Sequence, residues 1–201
     1  QPQHTARCGK NDTQPGSEIT MKELAEGFRR FAAKADSKFY SSLIAGQHPH
    51  TMMISCSDSR IIPEHIFDAK PGEIFVLRNV GNLARTEESS VRACIDYAVK
   101  HLKVERIAVL AHNQCGAVKA TEDKEYLDTE GLRKWLEQEE YTGSDLEEAE
   151  KAQAVRQLAK LREYPTVREA TEAGRLELCA FYFHLEPISM ETYRDGEWHL
   201  I

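Results

Sequence analysis

Two cysteines and one histidine stand directly after two apolar segments of the chain. Cys56 follows residues 52–54, and His112 and Cys115 follow the apolar run 106–111. Thiolate sulfur and imidazole nitrogen are ligands that Zn²⁺ prefers in proteins. Three protein ligands leave a fourth position to solvent, which is typical of a catalytic zinc and not of a structural one. These residues therefore predict one catalytic zinc ion per chain.

A carboxylate and a guanidinium follow the first predicted ligand at once. Asp58 and Arg60 can pair through two parallel hydrogen bonds, and that pairing keeps Asp58 ionised. An ionised Asp58 can accept a hydrogen bond from a metal-bound hydroxide and orient it toward a substrate. Two other interpretations are open: a closed zinc site with Asp58 as the permanent fourth ligand, and an exposed salt bridge that contributes little. The position of the pair beside a metal ligand favours the orienting role of Asp58 over both of these alternatives.

The hydrophobic pattern predicts an α/β protein that brings these residues to one edge of a sheet. Strand-like runs separated by a helix of suitable length favour parallel neighbours with a right-handed crossover. Ligand sites of such sheets lie beyond the carboxyl ends of the strands. A hairpin at 188–193 and the turn signal Asp195-Gly196 indicate an antiparallel end. The predicted strands are 51–55, 73–78, 106–111 and 176–185, and the predicted helices are 21–34, 39–44, 63–67, 86–101, 113–120, 131–139, 145–162 and 166–173.

The longest predicted helix, 145–162, has one apolar face and one charged face. Its apolar residues recur at helical spacing, and its charged residues are expected to face solvent. The apolar set is Leu146, Ala149, Ala152, Val155, Leu158 and Leu161, and the charged set is Glu147, Glu148, Glu150 and Lys151.

Bulk properties limit the possible functions. The 201 residues suit one catalytic domain at 21–201 after an irregular arm at 1–20. A net charge of −7 argues against nucleic acid as a partner, and no apolar run is long enough to cross a membrane. The five cysteines are an odd, irregularly spaced set, which favours a reducing compartment, and Cys94 and Cys179 are expected in the core. We therefore expect a cytoplasmic protein, or an organelle-matrix protein if a transit peptide has been removed.

Both metal motifs together are specific enough to indicate a family. Cys56-x-Asp58-Ser59-Arg60 followed by His112-x-x-Cys115-Gly116 resembles the signature of the β-class carbonic anhydrases. The resemblance extends from about residue 22 to residue 200. It includes Gly46-Gln47-x-Pro49, the segment 71–82 with Arg78-Asn79-Val80, and the segment 96–104.

The resemblance implies a fold, a reaction and further site residues. It implies a mainly parallel central sheet with an antiparallel C-terminal strand, and zinc-dependent reversible hydration of CO₂ to bicarbonate and a proton. Gln47 would bind a CO₂ or bicarbonate oxygen through its side-chain amide, across a subunit interface, and Gly116 would let the backbone approach the site. The expected assembly is a homodimer or homotetramer in which the N-terminal helices pack over a neighbouring subunit. In some family members the residue matching Asp58 moves onto the metal at low pH.

Two other functions stay open at this point. An enzyme of the same scaffold could hydrolyse carbonyl sulfide or carbon disulfide, and a zinc-stabilised binding protein would have no turnover. Three histidines near the first motif could transfer protons to buffer, although exposed histidines are common: His48, His50 and His65.

Overall fold

The computed structural model describes residues 20–123 and 127–201. By its contacts the chain divides into two compact units between Ala45 and Gly46. The catalytic-domain boundary expected at residue 21 stays a prediction. Within the described part of the chain, no helix is both long enough and apolar enough to cross a membrane.

Among its described residues, 20–45, the first unit contains two α-helices and one 3₁₀ turn. Helix α1 (Met21–Lys34) begins with a capping box, in which the Glu23 amide donates to Thr20 Oγ1 and the Thr20 amide donates to the Glu23 carboxylate. The helix predicted at 21–34 is confirmed. Helix α2 (Ser37–Ser42) is capped by Asp36, and the 3₁₀ turn Leu43–Ala45 follows it. The apolar residues Leu24, Phe28 and Phe31 lie exposed on α1.

The second unit is built on a six-stranded sheet with the order β2-β1-β3-β4-β5-β6. The first four strands in this order run parallel, and β5 and β6 are antiparallel additions, which confirms the predicted fold class. The sixth strand was not predicted; it follows the turn Asp195-Gly196, where both residues have positive φ, as a tight hairpin requires. The strands are β1 (Thr51–Cys56), β2 (Ile74–Asn79), β3 (Arg106–His112), β4 (Glu177–Leu185), β5 (Ile188–Arg194) and β6 (Glu197–Leu200).

In the described part of this unit, six α-helices connect and cover the strands. The helix predicted at 86–101 is in fact two segments, because α4 ends at Asp96 and the wider π-helix Tyr97–Leu102 continues it. The left-handed Lys103 (φ 55°) ends the π-helix and turns the chain into β3. The helices are α3 (Pro63–Ile66), α4 (Ser89–Asp96), α5 (Gly116–Glu122), α6 (Glu130–Leu136), α7 (Leu146–Glu163) and α8 (Pro165–Glu172).

Strand alternation divides the core between the two faces of the sheet. Met52 and Ile54 belong to the large cluster with α4, α7 and α8, whereas Met53 points to the other face with Ala108 and Leu110. Cys94 and Cys179 are half-buried and pack against these clusters.

The prediction for the faces of α7 is partly wrong. Glu150 was expected in solvent but is 1% exposed, and Gln153 and Gln157 are buried beside it. Leu146, Ala152 and Val155, which were expected in the core, are only half-buried. Lys151, which was expected in solvent, is also half-buried. The buried face therefore combines Ala154, Leu158 and Leu161 with a row of polar side chains at helical spacing. Those polar groups bind backbone atoms of the loops that carry the site described below.

Truncation of Leu158 tests the packing of α7 against the sheet. Leu158 is 1% exposed within the large cluster, so Leu158→Ala should lower the free energy of unfolding by about 2–5 kcal/mol. Val155→Ala on the half-buried flank is the control and should cost roughly 1 kcal/mol or less. Urea denaturation measures both values. Equal, small losses for the two variants would contradict this packing.

Candidate metal centre

The two parallel strands place the predicted ligands at one edge of the sheet. Cys56 is the last residue of β1 and His112 is the last residue of β3, and these strands pair in register. Cys115 follows one short turn later, immediately before α5. The ligand atoms of all three residues lie within 4.8 Å of one another, and all three residues are buried.

The hydrogen bonding of His112 favours metal binding through its Nε2 atom. His112 is fully buried, and its Nδ1 lies 2.9 Å from the carbonyl oxygen of Asn113. A protonated Nδ1 that donates to this carbonyl leaves the lone pair on Nε2. Nε2 has no hydrogen-bond partner among the described residues. A buried nitrogen without a partner beside two thiols fits a soft divalent metal such as zinc.

The two thiols influence each other strongly. The hydrogen bond with Cys115 lowers the pKa of Cys56 to about 4, and His112 adds to this effect. The same hydrogen bond, together with burial, raises the pKa of Cys115. The lowered pKa favours the thiolate form of Cys56, which is the form that binds metal. Both sulfurs lie within an apolar cluster with Leu83, Val118 and Leu136.

Asp58 and Arg60 form the expected pair beside the cluster. Arg60 Nε donates to Asp58 Oδ1 at 2.9 Å, and an Arg60 terminal nitrogen donates to Oδ2 at 2.7 Å. These hydrogen bonds lower the pKa of Asp58 to about 2, so the carboxylate is ionised at neutral pH. Asp58 Oδ2 lies 3.9 Å from His112 Nε2. Asp58 Oδ2 is thus close to the cluster, and Arg60 holds both oxygens of the Asp58 carboxylate.

Arg78 fixes the backbone that carries the first ligand. It extends from β2 and donates to the carbonyl oxygen of Cys56 at 3.1 Å and to that of Asp58 at 2.8 Å. No separate role was predicted for Arg78 from the sequence. Its parallel pairing with Ser55 on β1 explains the reach of its side chain.

The turn between the second and third ligands is held from two sides. Gln114 adopts a left-handed conformation with φ 56°, which is unfavourable for a residue other than glycine. Arg60 donates to the Gln114 carbonyl at 2.9 Å, and the Cys115 amide donates to Glu150 Oε1 at 2.6 Å. The second Glu150 oxygen accepts from the Tyr182 hydroxyl at 2.6 Å. Burial raises the pKa of Glu150 and also that of Tyr182.

An apolar cleft of about 530 Å³ adjoins the end of β1. One wall is α6, whose Trp135 donates from Nε1 to the Val80 carbonyl at 2.7 Å. The buried Arg85 also holds Trp135 in place. Its guanidinium donates to the Trp135 carbonyl and lies 5.1 Å from the centre of the Trp135 ring. The cleft is lined by Ser57, Asn79, Val80, Gly131, Leu132 and Trp135.

The other residues singled out in the sequence lie in more open positions. Gln47 lies exposed in the segment before β1 and makes no hydrogen bond within the described residues. Gly116 begins α5, and a Cβ built there would meet nothing within 4 Å, so the space beside the third ligand is open. His48, His50 and His65 are exposed or half-exposed. The structure therefore brings together Cys56, Asp58, Arg60, His112 and Cys115, and it does not place Gln47 in that group.

A second group of potential ligands within the described residues already holds a cation. Glu147, His184 and Glu191 lie close enough to share a metal ion. The Lys151 ammonium lies 2.7 Å from carboxylate oxygens of both Glu147 and Glu191. His184 Nε2 also lies 2.7 Å from Glu191. We interpret this group as a satisfied ion-pair network.

Comparison with known proteins gives a consistent result. The family model described as carbonic anhydrase matches residues 51–189. A carbonic anhydrase of Pseudomonas aeruginosa is 36% identical over 185 residues, which cover 83% of this chain and 84% of that protein. The structure of the β-carbonic anhydrase CcaA superimposes with a TM-score of 0.82 at 27% identity, covering 90% of this chain and 92% of that chain. A structure described as a tetrameric β-carbonic anhydrase from Sordaria macrospora has a TM-score of 0.65 at 26% identity, covering 90% of this chain and 94% of that chain.

Proposed function

The chain belongs to the β-class carbonic anhydrase family and is a carbonate dehydratase, and on this premise we propose that its reaction depends on zinc held by Cys56, His112 and Cys115. The observation that carries the proposal is the buried cluster of one imidazole and two thiols, whose ligand atoms lie within 4.8 Å of one another. Zinc bound at such a site lowers the pKa of a water molecule, so that a hydroxide nucleophile is available near neutral pH.

Asp58 orients the nucleophile in this proposal. Its carboxylate is held by Arg60 and ionised, so its remaining lone pairs can accept a hydrogen bond from the attacking hydroxide. That hydrogen bond directs an oxygen lone pair toward the CO₂ carbon. The new C–O bond forms as the π electrons of one C=O bond move onto oxygen, which gives bicarbonate. The proton released when water becomes hydroxide passes to buffer.

The charged pair also argues for an open fourth position. If Asp58 were a permanent fourth ligand, it would have to leave two hydrogen bonds to Arg60 of 2.9 and 2.7 Å. Arg60 also binds the Gln114 carbonyl, so its guanidinium stays in place. The pair therefore supports a catalytic site over a closed, structural zinc site. The same pair favours catalysis over a zinc-stabilised protein without turnover.

CO₂ and bicarbonate are the proposed substrate and product. The cleft beside β1 is apolar, which suits a small uncharged gas. The open space beside Gly116 leaves room for substrate near the third ligand. Gln47 is proposed to supply a side-chain amide to a substrate oxygen once a neighbouring subunit is present. Carbonyl sulfide and carbon disulfide are also small and uncharged, so they remain the rival substrates.

A homodimer or homotetramer is the proposed assembly. The exposed apolar residues of α1 and the description of the Sordaria macrospora relatives as tetrameric support it. A catalytic domain at 21–201 after an arm at 1–20 is part of the same proposal. A reducing compartment such as the cytoplasm is proposed because metal-binding thiols must stay reduced.

Substrate competition tests the proposed reaction. Zinc-loaded protein should hydrate CO₂ in a stopped-flow pH-indicator assay, with little release of sulfide from carbonyl sulfide or carbon disulfide at equal concentrations. Protein treated with a chelator is the control and should be inactive. Sulfide release without CO₂ hydration would overturn the proposed substrate and leave the zinc site standing.

Zinc should also stabilise the folded protein. A ligand that binds only the folded state at 100 times its dissociation constant adds about 2.7 kcal/mol to the free energy of unfolding. The midpoint of thermal unfolding of metal-free protein should therefore rise when zinc is added. Magnesium is the control, because it prefers oxygen ligands and should leave the midpoint unchanged. Identical midpoints in zinc and magnesium would contradict a preformed site of two thiols and one imidazole.

A further inference from the structure

Glu150 is a buried acidic residue that the proposed reaction does not use. It is 1% exposed in the middle of α7, although its neighbours Glu147 and Glu148 are exposed. Burial of a charged side chain is unfavourable unless its polar atoms are paired. Both oxygens of Glu150 are paired, one with the Cys115 amide and one with the Tyr182 hydroxyl, each at 2.6 Å. A buried glutamate with both oxygens hydrogen-bonded indicates a specific role for one of these contacts.

The partner is the backbone of a proposed metal ligand. Cys115 directly precedes α5 and is the N-cap residue of that helix. Cys115 is 2% exposed, so its amide needs an acceptor within the protein. Glu150 supplies that acceptor from a helix 35 residues further along the sequence.

The local backbone would not hold this arrangement by itself. Gln114, next to Cys115, has the left-handed φ of 56°. Such a turn persists when its surroundings determine it from several sides. Arg60 holds the carbonyl before Cys115 and Glu150 holds the amide of Cys115. The direction of the Cys115 Cα–Cβ bond, and hence the position of its sulfur, depends on both contacts.

Tyr182 orients the Glu150 carboxylate. It is fully buried on β4, and its hydroxyl donates to Glu150 Oε2. The Lys151 ammonium lies 4.9 Å from the centre of the Tyr182 ring, and the His184 ring contacts Tyr182 edge-on at 4.8 Å. The tyrosine is therefore fixed by its surroundings and can hold the carboxylate in one orientation.

We propose that Glu150 is a positioning residue for the metal ligand Cys115, and that Tyr182 fixes the orientation of the Glu150 carboxylate. The inference rests on the proposed zinc site. Gln153 and Gln157 perform a related task on the neighbouring loop, where they bind the Gly81 carbonyl and the Ala84 amide. Only Glu150 of this polar row contacts a ligand residue. Its removal should therefore affect the metal, whereas removal of Gln157 should affect only the stability of the fold.

Zinc affinity measured by chelator competition tests the role of Glu150 directly. Glu150→Ala should raise the zinc dissociation constant about 10- to 100-fold, as loss of a group that orients a ligand does elsewhere. Glu150→Gln keeps an oxygen that can accept from the Cys115 amide, and it should bind zinc within a few-fold of the unchanged protein. Tyr182→Phe should weaken zinc binding measurably, by roughly 2- to 10-fold. Gln157→Leu, which removes two buried hydrogen bonds made by the same helix, should leave the zinc dissociation constant unchanged.

Cobalt substitution provides a readout that general destabilisation would not change. The visible absorption of Co²⁺ bound by two thiolates and one imidazole reports the geometry of the ligands. Glu150→Ala should shift or weaken these bands, and Glu150→Gln and Gln157→Leu should preserve them.

The possible outcomes separate this inference from the proposed function. If unchanged protein binds no zinc, both are wrong. If it binds one zinc per chain, and Glu150→Ala binds zinc equally tightly with the same cobalt spectrum, the positioning role is overturned and the proposed function stands. If Glu150→Ala does not fold, Tyr182→Phe decides instead, and an unchanged zinc dissociation constant in that variant overturns the role.

Discussion

Replacing Cys115 by serine should remove stoichiometric zinc binding and, with it, CO₂ hydration. A serine hydroxyl is protonated at neutral pH and is a poor zinc ligand, whereas the protein otherwise supplies two sulfurs and one nitrogen within 4.8 Å. Loss of a group that only orients a ligand costs about 10- to 100-fold in metal affinity, and loss of the ligand itself should exceed this. Zinc content after dialysis, determined by atomic emission, measures the effect.

A second cysteine variant provides the control for that experiment. Cys94→Ser changes a half-buried thiol on α4, away from the cluster, and should retain one zinc per chain. Retention of full zinc and full activity by Cys115→Ser would remove this residue from the site and leave only two ligands, which is too few for the proposed centre.

Replacing Asp58 by asparagine should have the opposite signature, with zinc retained and turnover lost. Asparagine is nearly the same size, but it has no charge for Arg60 and can offer an NH₂ group where the nucleophile needs an acceptor. We expect kcat/KM for CO₂ to fall by roughly 100-fold or more, within the range for groups that act on a transferred proton or its oxygen. Stopped-flow CO₂ hydration at equal zinc content measures the loss.

Glu64 is a suitable control, because it is an exposed acidic residue on α3, shortly after Asp58 in the sequence. Glu64→Gln removes one negative charge six residues further along and should leave kcat/KM unchanged. If Asp58→Asn kept full activity, Asp58 would not orient the nucleophile, and the role given to its pair with Arg60 would be wrong.

The meeting of Cys56, His112 and Cys115 was predictable because the residues that determine it are local in the sequence. Cys56 and His112 each end an apolar run, and parallel strands place such ends at one edge of a sheet. The charged pair Asp58 and Arg60 is separated by one residue, so its contact needs no knowledge of the fold. The mainly parallel sheet followed from the same runs and the helix between them.

Glu150 was missed because its partners are distant in the sequence. The Cys115 amide is 35 residues away and the Tyr182 hydroxyl is 32 residues away. A glutamate on a helix is normally exposed, so composition alone favours solvent. One signal was available: Glu150, Gln153 and Gln157 recur at helical spacing on the same face as Leu158 and Leu161. Polar residues repeated along a buried face indicate that they bind backbone groups of loops.

Two features of the fold could not be predicted from the sequence pattern. The π-helix Tyr97–Leu102 differs from an α-helix by about one residue per turn, and its buried residues Ala98 and Val99 fit either period. Strand β6 has only four residues, and Trp198 is its one half-buried side chain. The turn Asp195-Gly196 was recognised, but so short an edge strand has too little alternation to be predicted.

A zinc titration followed by CO₂ hydration tests the central claim most directly. Metal-free protein would be given zinc in steps, with bound zinc and the stopped-flow hydration rate measured on each sample. The proposed site predicts a rate that rises in proportion to bound zinc and stops rising at one zinc per chain. A protein that binds one zinc per chain without hydrating CO₂, or one that hydrates CO₂ without zinc, would contradict it.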